Sequence, residues 1–422
     1  MEFEDSLYAS FEGLDPDRFI FALYYIETNG LLSRAAEEIA VSQSTGTWVP
    51  LKYETEEVKR YRARIVRLER HRGSDREGYA EIAYPVDNVN PRVGGIPELL
   101  VTVAGCAFEP ADFTALRLID VRVPRSFARE FPGPRFGIEG LRRLIGGDAG
   151  DRPLIGTPVK PCVGLTPDVV AEICYEAAMG GIDFIKDDEL NVSPKYCPIE
   201  ERVPKVMEAL DRAKEETGKR VLYAPCITTR VDEIVGLAEK VVEWGANALF
   251  LNVVSTSFSA VQAVAEDPSV RVPIHVHKGI ADAWTRNPSF GIDFQVLCKL
   301  ARLSGGDSMH VGGVGGGYIR VEPYEILKSC RALRGPYHGF KPTLPGIGGG
   351  IHPGNLKAAM DLLGNDIIFL VGGGIHGHPD GPRAGVKALR QAIDAHLAGT
   401  PIEEKARQHP ELARAIERWG LR

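Results

Sequence analysis

Hydrophobic and polar positions follow two different regimes along this chain. Through residue 135, short apolar runs and helical patterns succeed one another in no regular order. The runs 19–25 and 79–84 carry aromatic and aliphatic residues as strands do, while 31–40 and 96–104 space their apolar residues as helices do. An α+β domain over 1–135 is expected. The passage Phe131-Pro132-Gly133-Pro134-Arg135-Phe136-Gly137 breaks both periods and marks a boundary. Beyond it, strand-like runs recur at 154–160, 182–187, 221–227, 248–254, 272–278, 308–312, 341–347 and 367–371. A helical pattern follows each, for example 168–179, 231–244, 294–303, 355–363 and 384–397. Eight alternating units in about 240 residues predict a (β/α)8 barrel over 136–422, with further helices at the C-terminus. The expected fold class is α/β, a C-terminal (β/α)8 TIM barrel preceded by an α+β N-terminal domain.

Such barrels build their sites from residues at the C-terminal ends of the strands. Strand one ends Val159-Lys160-Pro161, strand five His275-Val276-His277-Lys278, and strand six Ser308-Met309-His310-Val311-Gly312-Gly313. Strands seven and eight end in Gly346-Ile347-Gly348-Gly349-Gly350 and Gly372-Gly373-Gly374. The densest group is on strand two, Ile182-Asp183-Phe184-Ile185-Lys186-Asp187-Asp188-Glu189, an apolar run that closes in a lysine and three acids. A buried strand tolerates charges only where they find partners. Consecutive carboxylates suit a hard cation such as Mg²⁺, which takes oxygen ligands and keeps waters that a substrate displaces. A solvated turn is the plain alternative. Glycine clusters let backbone N–H groups approach a phosphate. With these groups at one barrel mouth, a phosphorylated small molecule held against a metal is the economical reading.

Mg²⁺ on Asp188 and Glu189 suits polarising a carbonyl and stabilising the enolate beside it. Lys186 then stays away from the metal as a base, or becomes an anionic carbamate by adding CO₂; the residues alone leave both open. Lys160 suits a general acid or base if burial and neighbouring positive charge lower its pKa. His277 and His310 are candidates for phosphate binding or proton transfer, and the spacing of His275 and His277 puts both rings on one face.

Composition narrows the class. With 422 residues, 44% hydrophobic and 25% charged, the chain is that of an ordinary globular protein. A net charge of −7 without a prominent basic segment argues against nucleic acid as a partner. Seven scattered cysteines without a CxxC pair, and no signal-like segment, indicate reduced thiols and a cytoplasmic location. No apolar run approaches the roughly 18 residues of a membrane span.

At these residues the chain resembles the RuBisCO large subunit nearly end to end. The resemblance rests on Ser44-Thr45-Gly46-Thr47-Trp48, Gly156-Thr157-Pro158-Val159-Lys160-Pro161, the Gly180–Glu189 stretch, His275-Val276-His277-Lys278, Leu303-Ser304-Gly305-Gly306-Asp307, Gly349-Gly350-Ile351-His352 and Gly377-His378-Pro379. It implies a carbamate on Lys186, formed with CO₂, that binds Mg²⁺ with Asp188 and Glu189. It also implies proton handling by Lys160, and phosphate binding by Thr47, Trp48, His310, Gly350, Gly372 and Gly373. Lys278 stands where RuBisCO has an arginine, so a phosphate cation is kept in altered form. RuBisCO has a glutamate at Ser42, an asparagine at Cys106, a second lysine at Cys162 and a phosphate-binding serine at Gly348, so Gly348 is expected to serve a weakened second phosphate subsite. Its mobile loop after strand six carries a lysine, whereas this chain reads Gly312-Gly313-Val314-Gly315-Gly316-Gly317.

The departures make carboxylation of ribulose 1,5-bisphosphate improbable and match the RuBisCO-like proteins of form IV. Among their activities the expectation is a decarboxylase or hydrolase of 3-oxo-isoapionate 4-phosphate. The alternatives are a methylthioribulose phosphate isomerase or diketo-methylthiopentyl phosphate enolase, and a non-catalytic sugar-phosphate-binding homologue. Cys106 and Cys162 would line a less polar subsite, lend a proton, or only fill vacated space. The resemblance further implies a head-to-tail homodimer, or a higher homo-oligomer of dimers, in which Thr47 and Trp48 serve the neighbouring site.

Overall fold

Buried and half-exposed side chains alternate along Phe19–Thr28, which forms the central strand, β1, of a five-stranded sheet in the computed structural model. The structure describes residues 7–47, 49, 51–146, 150–314 and 321–421. Two compact units emerge, one running to Pro132 and taking in Ile280–Leu303, the other comprising Gly133–Gly279 and the chain from Ser304 onward.

In the first unit, β1 pairs antiparallel with β3 (Glu77–Pro85) and β4 (Phe113–Arg122). The edges are β2 (Arg64–Arg70) beside β3 and the short β10 (Phe290–Ile292) beside β4. Both expected strands are present and longer than their apolar runs. The edge strand β2 was not legible from pattern, because Ile65 is its one buried side chain and arginines fill much of the rest. The helix Leu32–Ser42 packs Ala35, Ala36, Ile39 and Ala40 in the core beside β1, β2 and β3. The Tyr24 hydroxyl lies 2.9 Å from that of Tyr84 and donates to the Val103 carbonyl at 2.7 Å, tying the sheet to the helix Gly95–Ala104. The helix Phe294–Leu303 also packs on β4, in this first unit.

The second unit is a parallel barrel. Its strands are β5 (Leu154–Pro158), β6 (Phe184–Lys186), β7 (Leu222–Ala224), β8 (Leu249–Asn252), β9 (Ile274–His277), β11 (Ser308–Gly312), β12 (Leu344–Gly348) and β13 (Ile368–Leu370). They pair in the order β7-β6-β5-β13-β12-β11-β9-β8. A bridge between Cys226 and Phe250, with the Ile227 N–H donating to the Phe250 carbonyl at 2.9 Å, joins β7 to β8 and closes the ring. The strands occupy the eight predicted places, most trimmed by a few residues where the chain turns into a loop. The helix Gly137–Ile145 presents Ile138, Leu141 and Ile145 to Leu154, Phe184, Leu222, Leu344 and Ile368, plugging the N-terminal end of the barrel. Burying each such aliphatic or aromatic side chain contributes about 1.5–3 kcal/mol. That sealed end leaves the opposite mouth as the place where polar side chains gather. Among the described residues no helix is long and apolar enough to cross a membrane.

Candidate functional site

The register of the barrel brings the two lysines together. Pro158 pairs with Lys186 in the β5–β6 ladder, so the residues just beyond each strand emerge side by side at the mouth. Lys160 Nζ donates to Asp188 Oδ2 at 2.5 Å and to Cys162 Sγ at 3.0 Å. Lys186 is buried, with Nζ donating to the Asp187 carbonyl at 2.9 Å and to Glu189 Oε2 at 3.2 Å. Its ammonium also lies 4.2 Å from the centre of the Phe250 ring, whose negative face favours a cation. Two carboxylates thus meet two ammonium groups in one cluster, with Lys186 and Asp188 buried and Lys160 and Glu189 partly open to solvent.

The third acid plays another part. Asp187 is fully buried and accepts from Arg202 (2.9 and 3.2 Å), the Tyr223 hydroxyl (2.8 Å) and the Cys226 N–H (3.0 Å). Its carboxylate is saturated on the side of β7, so the run of three acids divides into one structural residue and two at the mouth.

Burial alone would lower the pKa of Lys160, but its bonds to Asp188 and Cys162 outweigh burial and raise it above the ordinary lysine value. This corrects the expectation of a lysine tuned toward neutrality: neighbouring negative charge dominates, and Lys160 becomes a base only when released from Asp188. Asp188 shows the reciprocal effect, with Lys160 overcoming burial and holding its carboxyl below the usual range.

The histidines pack as a column inside the barrel. The His275 ring lies 5.5 Å from Phe184 and 5.8 Å from Phe250, and His277 lies 4.9 Å from His310. His275 Nδ1 is 2.8 Å from Ser308 Oγ, and its Nε2 is buried without a partner, so this residue belongs to the core. His277 Nδ1 faces Asn252 Oδ1 at 3.0 Å, and its Nε2 lies 3.9 Å from Glu189 Oε2. Burial, reinforced by nearby Lys186, pushes His277 well below the ordinary histidine value. Burial together with Lys278 and Lys186 brings His310 down to about 3. Both are neutral imidazoles at physiological pH and bring no charge to a phosphate. Lys278, also buried, is the cation of that group.

The glycines after β12 and β13 divide by geometry. Gly349 and Gly350 have φ of +97° and +77°, which L side chains rarely adopt. A Cβ on Gly348 would come 2.7 Å from the Leu370 carbonyl and 2.8 Å from His310 Cε1, so no side chain fits there as the loop stands. Gly372 precedes the helical turn Gly373–His376 and lies against Lys160, where a Cβ would be 3.3 Å from Cε. The Ile375 and His376 N–H groups of that turn donate to the Gly372 carbonyl at 3.0 Å, which leaves those of Gly373 and Gly374 as the ones a helix start offers outward. His376 Nε2, 2.8 Å from Thr157 Oγ1 and 3.0 Å from the Pro158 carbonyl, ties this turn to the end of β5.

Thr47 and Cys106 lie in the first unit, Cys106 exposed there; Trp48 and residues 315–320 of the loop after β11 lie outside the described residues. Sequence reading passed over the ends of β7 and β8. There Thr228 Oγ1 accepts from the Asn252 N–H (3.0 Å) and side-chain amide (3.2 Å), and Asn252 in turn orients His277. The rule that polar residues at strand C-termini matter would have found both.

Two family models cover most of the chain: the catalytic domain of the ribulose bisphosphate carboxylase large chain at 137–419 and its N-terminal domain at 12–127. The chain is 38% identical over 409 residues to a ribulose bisphosphate carboxylase of Archaeoglobus fulgidus, spanning 92% of this chain and 90% of that one. It is also 38% identical over 424 residues to a ribulose bisphosphate carboxylase-like protein of the same organism, spanning 96% and 94%. A crystal structure of octameric ribulose-1,5-bisphosphate carboxylase/oxygenase from Pyrococcus horikoshii OT3, in complex with sulfate, matches with a TM-score of 0.91 and 36% identity, over 100% of this chain and 98% of that one. Equal identity to a carboxylase and to a carboxylase-like protein leaves the activity to be argued from the site. The chain belongs to the ribulose bisphosphate carboxylase large-chain family.

Proposed function

We propose that this chain is a RuBisCO-like enzyme that does not fix CO₂ and applies Mg²⁺-assisted enolate chemistry to a phosphorylated sugar or keto acid. The observation that carries the reading is the cluster of Lys160, Lys186, Asp188 and Glu189, intact, with the Cys162 thiol rather than a second cation beside Lys160. Gly348 supports it, because the close approach of Leu370 and His310 leaves no room for a serine hydroxyl at that position.

The donor set fits a metal through its charge. Asp188 and Glu189 face Lys160 and Lys186, two anions against two cations. A carbamate on Lys186 would leave three anions against one cation, an excess that one divalent ion neutralises. Lys186, Asp188 and Glu189 would be the ligands, all through oxygen, as Mg²⁺ prefers. When bound there, Mg²⁺ supplies electrophilic polarisation of a carbonyl and compensates the charge of an enolate. Lys160, drawn off Asp188, then moves a proton to or from the substrate carbon skeleton, and His277 stands at Glu189 to receive or return one. Lys278, His310, Gly350, Gly372 and Gly373 hold phosphate, and Thr47 and Trp48 serve the site of a second copy in a homodimer.

The substrate proposed is 3-oxo-isoapionate 4-phosphate. A β-keto acid phosphate reaches the enolate by losing CO₂, with no initial C–H deprotonation and no cation needed for a newly formed carboxylate. The test is incubation with Mg²⁺, bicarbonate and this compound, followed by NMR. Release of CO₂ with a tetrulose phosphate identifies a decarboxylase, and glycolate with phosphoglycerate a hydrolase. Turnover only of a methylthioribulose or diketo-methylthiopentyl phosphate replaces the substrate assignment. Incorporation of labelled CO₂ into ribulose 1,5-bisphosphate overturns the non-carboxylating reading. Sedimentation at the assay concentration tests the homodimer; a fully active monomer refutes it.

A further inference from the structure

We infer that Arg202 is a positioning residue for the metal-ligand pair, acting from both sides of Asp188 and Glu189; this rests on the reading of those two acids as ligands. Arg202 lies in the helix Ile199–Thr217 and is wholly buried, a costly place for a guanidinium unless every N–H is used. They are used on one short stretch of chain. Nε and Nη2 hold Asp187 Oδ2 at 3.2 and 2.9 Å, immediately before the pair. Nη2 also donates to the carbonyls of Asn191 (3.1 Å) and Val192 (2.7 Å), which follow the pair after Leu190. Nη1 donates to the Cys197 carbonyl at 2.7 Å, farther along the same loop.

Asp188 and Glu189 therefore sit on a span pinned at both ends by a single planar group. Within the span the Leu190 N–H donates to Asp188 Oδ1 at 3.2 Å and the Asn191 N–H to the Asp188 carbonyl at 3.0 Å, so slack is small. The same guanidinium neutralises Asp187, which keeps that carboxylate from competing for Lys186 or for a cation. Tyr223 and the Cys226 N–H complete the arrangement from β7 and its continuation. Lysine at 202 would keep the charge but not the fork that reaches Asp187 and the carbonyls together.

Mn²⁺ in the presence of bicarbonate, titrated by electron paramagnetic resonance, reads the ligand geometry without turnover. The wild type is expected to bind saturably and Asp188→Asn to lose binding; a wild type without saturable binding overturns the ligand reading itself. Arg202→Lys is expected to weaken Mn²⁺ binding by about tenfold or more, the usual effect of disturbing groups that orient ligands. Asp183→Asn, equally buried at the far end of β6, controls for lost stability and should stay within about twofold of wild type. Saturable wild-type binding with Arg202→Lys inside that same margin overturns the positioning role alone. Should Arg202→Lys fail to fold, Tyr223→Phe decides: severalfold weaker binding supports the inference and unchanged binding overturns it.

Discussion

Asp183 is a place where charge removal should be strongly felt. It stands just before β6, at the barrel end opposite Lys160 and Lys186, and none of it is exposed. Its carboxylate accepts from Arg390 at 2.8 Å, Arg152 at 3.2 and 3.3 Å, and the Ile155 N–H at 2.7 Å, and pairs with Lys219 at 2.8 Å. Burial would raise its pKa, but Arg390, Lys219 and Arg152 outweigh burial and hold it well below the usual carboxylate range. Asp183→Asn keeps the shape and removes the charge, leaving three cations with side chains 12–24% exposed to repel one another. Breaking a buried ion pair from one side costs about 3–5 kcal/mol. At about 2–4 °C per kcal/mol for a large domain, the melting temperature should fall by roughly 6–20 °C at pH 7. The sign with pH follows from the depressed value. The unfolded chain takes up the proton near pH 4 and the folded one only further down, so the stabilisation is complete above about pH 4 and is lost on acidification below it. Thermal melts followed by circular dichroism from pH 7 to pH 3 check both statements: the wild type should lose stability more steeply than the variant. A variant melting within about 2 °C of wild type at pH 7, or showing the same acid slope, would refute the reasoning.

Gly348→Ser should not restore a phosphate ligand: its Cβ meets the Leu370 carbonyl and His310 Cε1, and the expected overpacking cost is about 1–3 kcal/mol. Calorimetry and phosphate titration check this, with an unshifted melting temperature and tighter binding as the contrary result. Lys186→Ala removes the nitrogen that a carbamate needs, and should abolish turnover together with Mg²⁺ binding; full activity in the variant would end the carbamate reading. Cys162→Lys brings a second cation within reach of Lys160, which lowers the Lys160 pKa and should shift the pH profile of keto acid phosphate turnover toward lower pH. Steady-state kinetics across pH read the effect, and an unchanged profile would show that the thiol is filler.

The periodicities of this chain are local quantities, and what depends on them was legible without a structure. A run such as Ile182–Ile185, preceded by two glycines and followed further on by a helical pattern, is a buried parallel strand wherever it lies, and eight such units leave few folds open. Since a barrel exposes its chemistry at strand C-termini, Lys160, Lys186, His277 and His310 were singled out from order alone. The quiet edge strand β2 and the ends of β7 and β8 escaped, because exposed arginines and lone Thr228 or Asn252 carry no period. What tertiary structure decided was partnership. Asp187, Asp188 and Glu189 are nearly interchangeable as neighbours in sequence. The fold gives the first to Arg202, Tyr223 and Cys226, the second to Lys160, and the third to Lys186. Lys160 and Asp188 stand 28 positions apart in the chain, and the parallel register of β5 and β6 brings them into contact. The contact reverses the pKa direction expected for Lys160. Charge acts over a few ångströms of space and not over positions in the chain, so burial and pairing, and the chemistry that follows from them, were fixed only when the barrel closed.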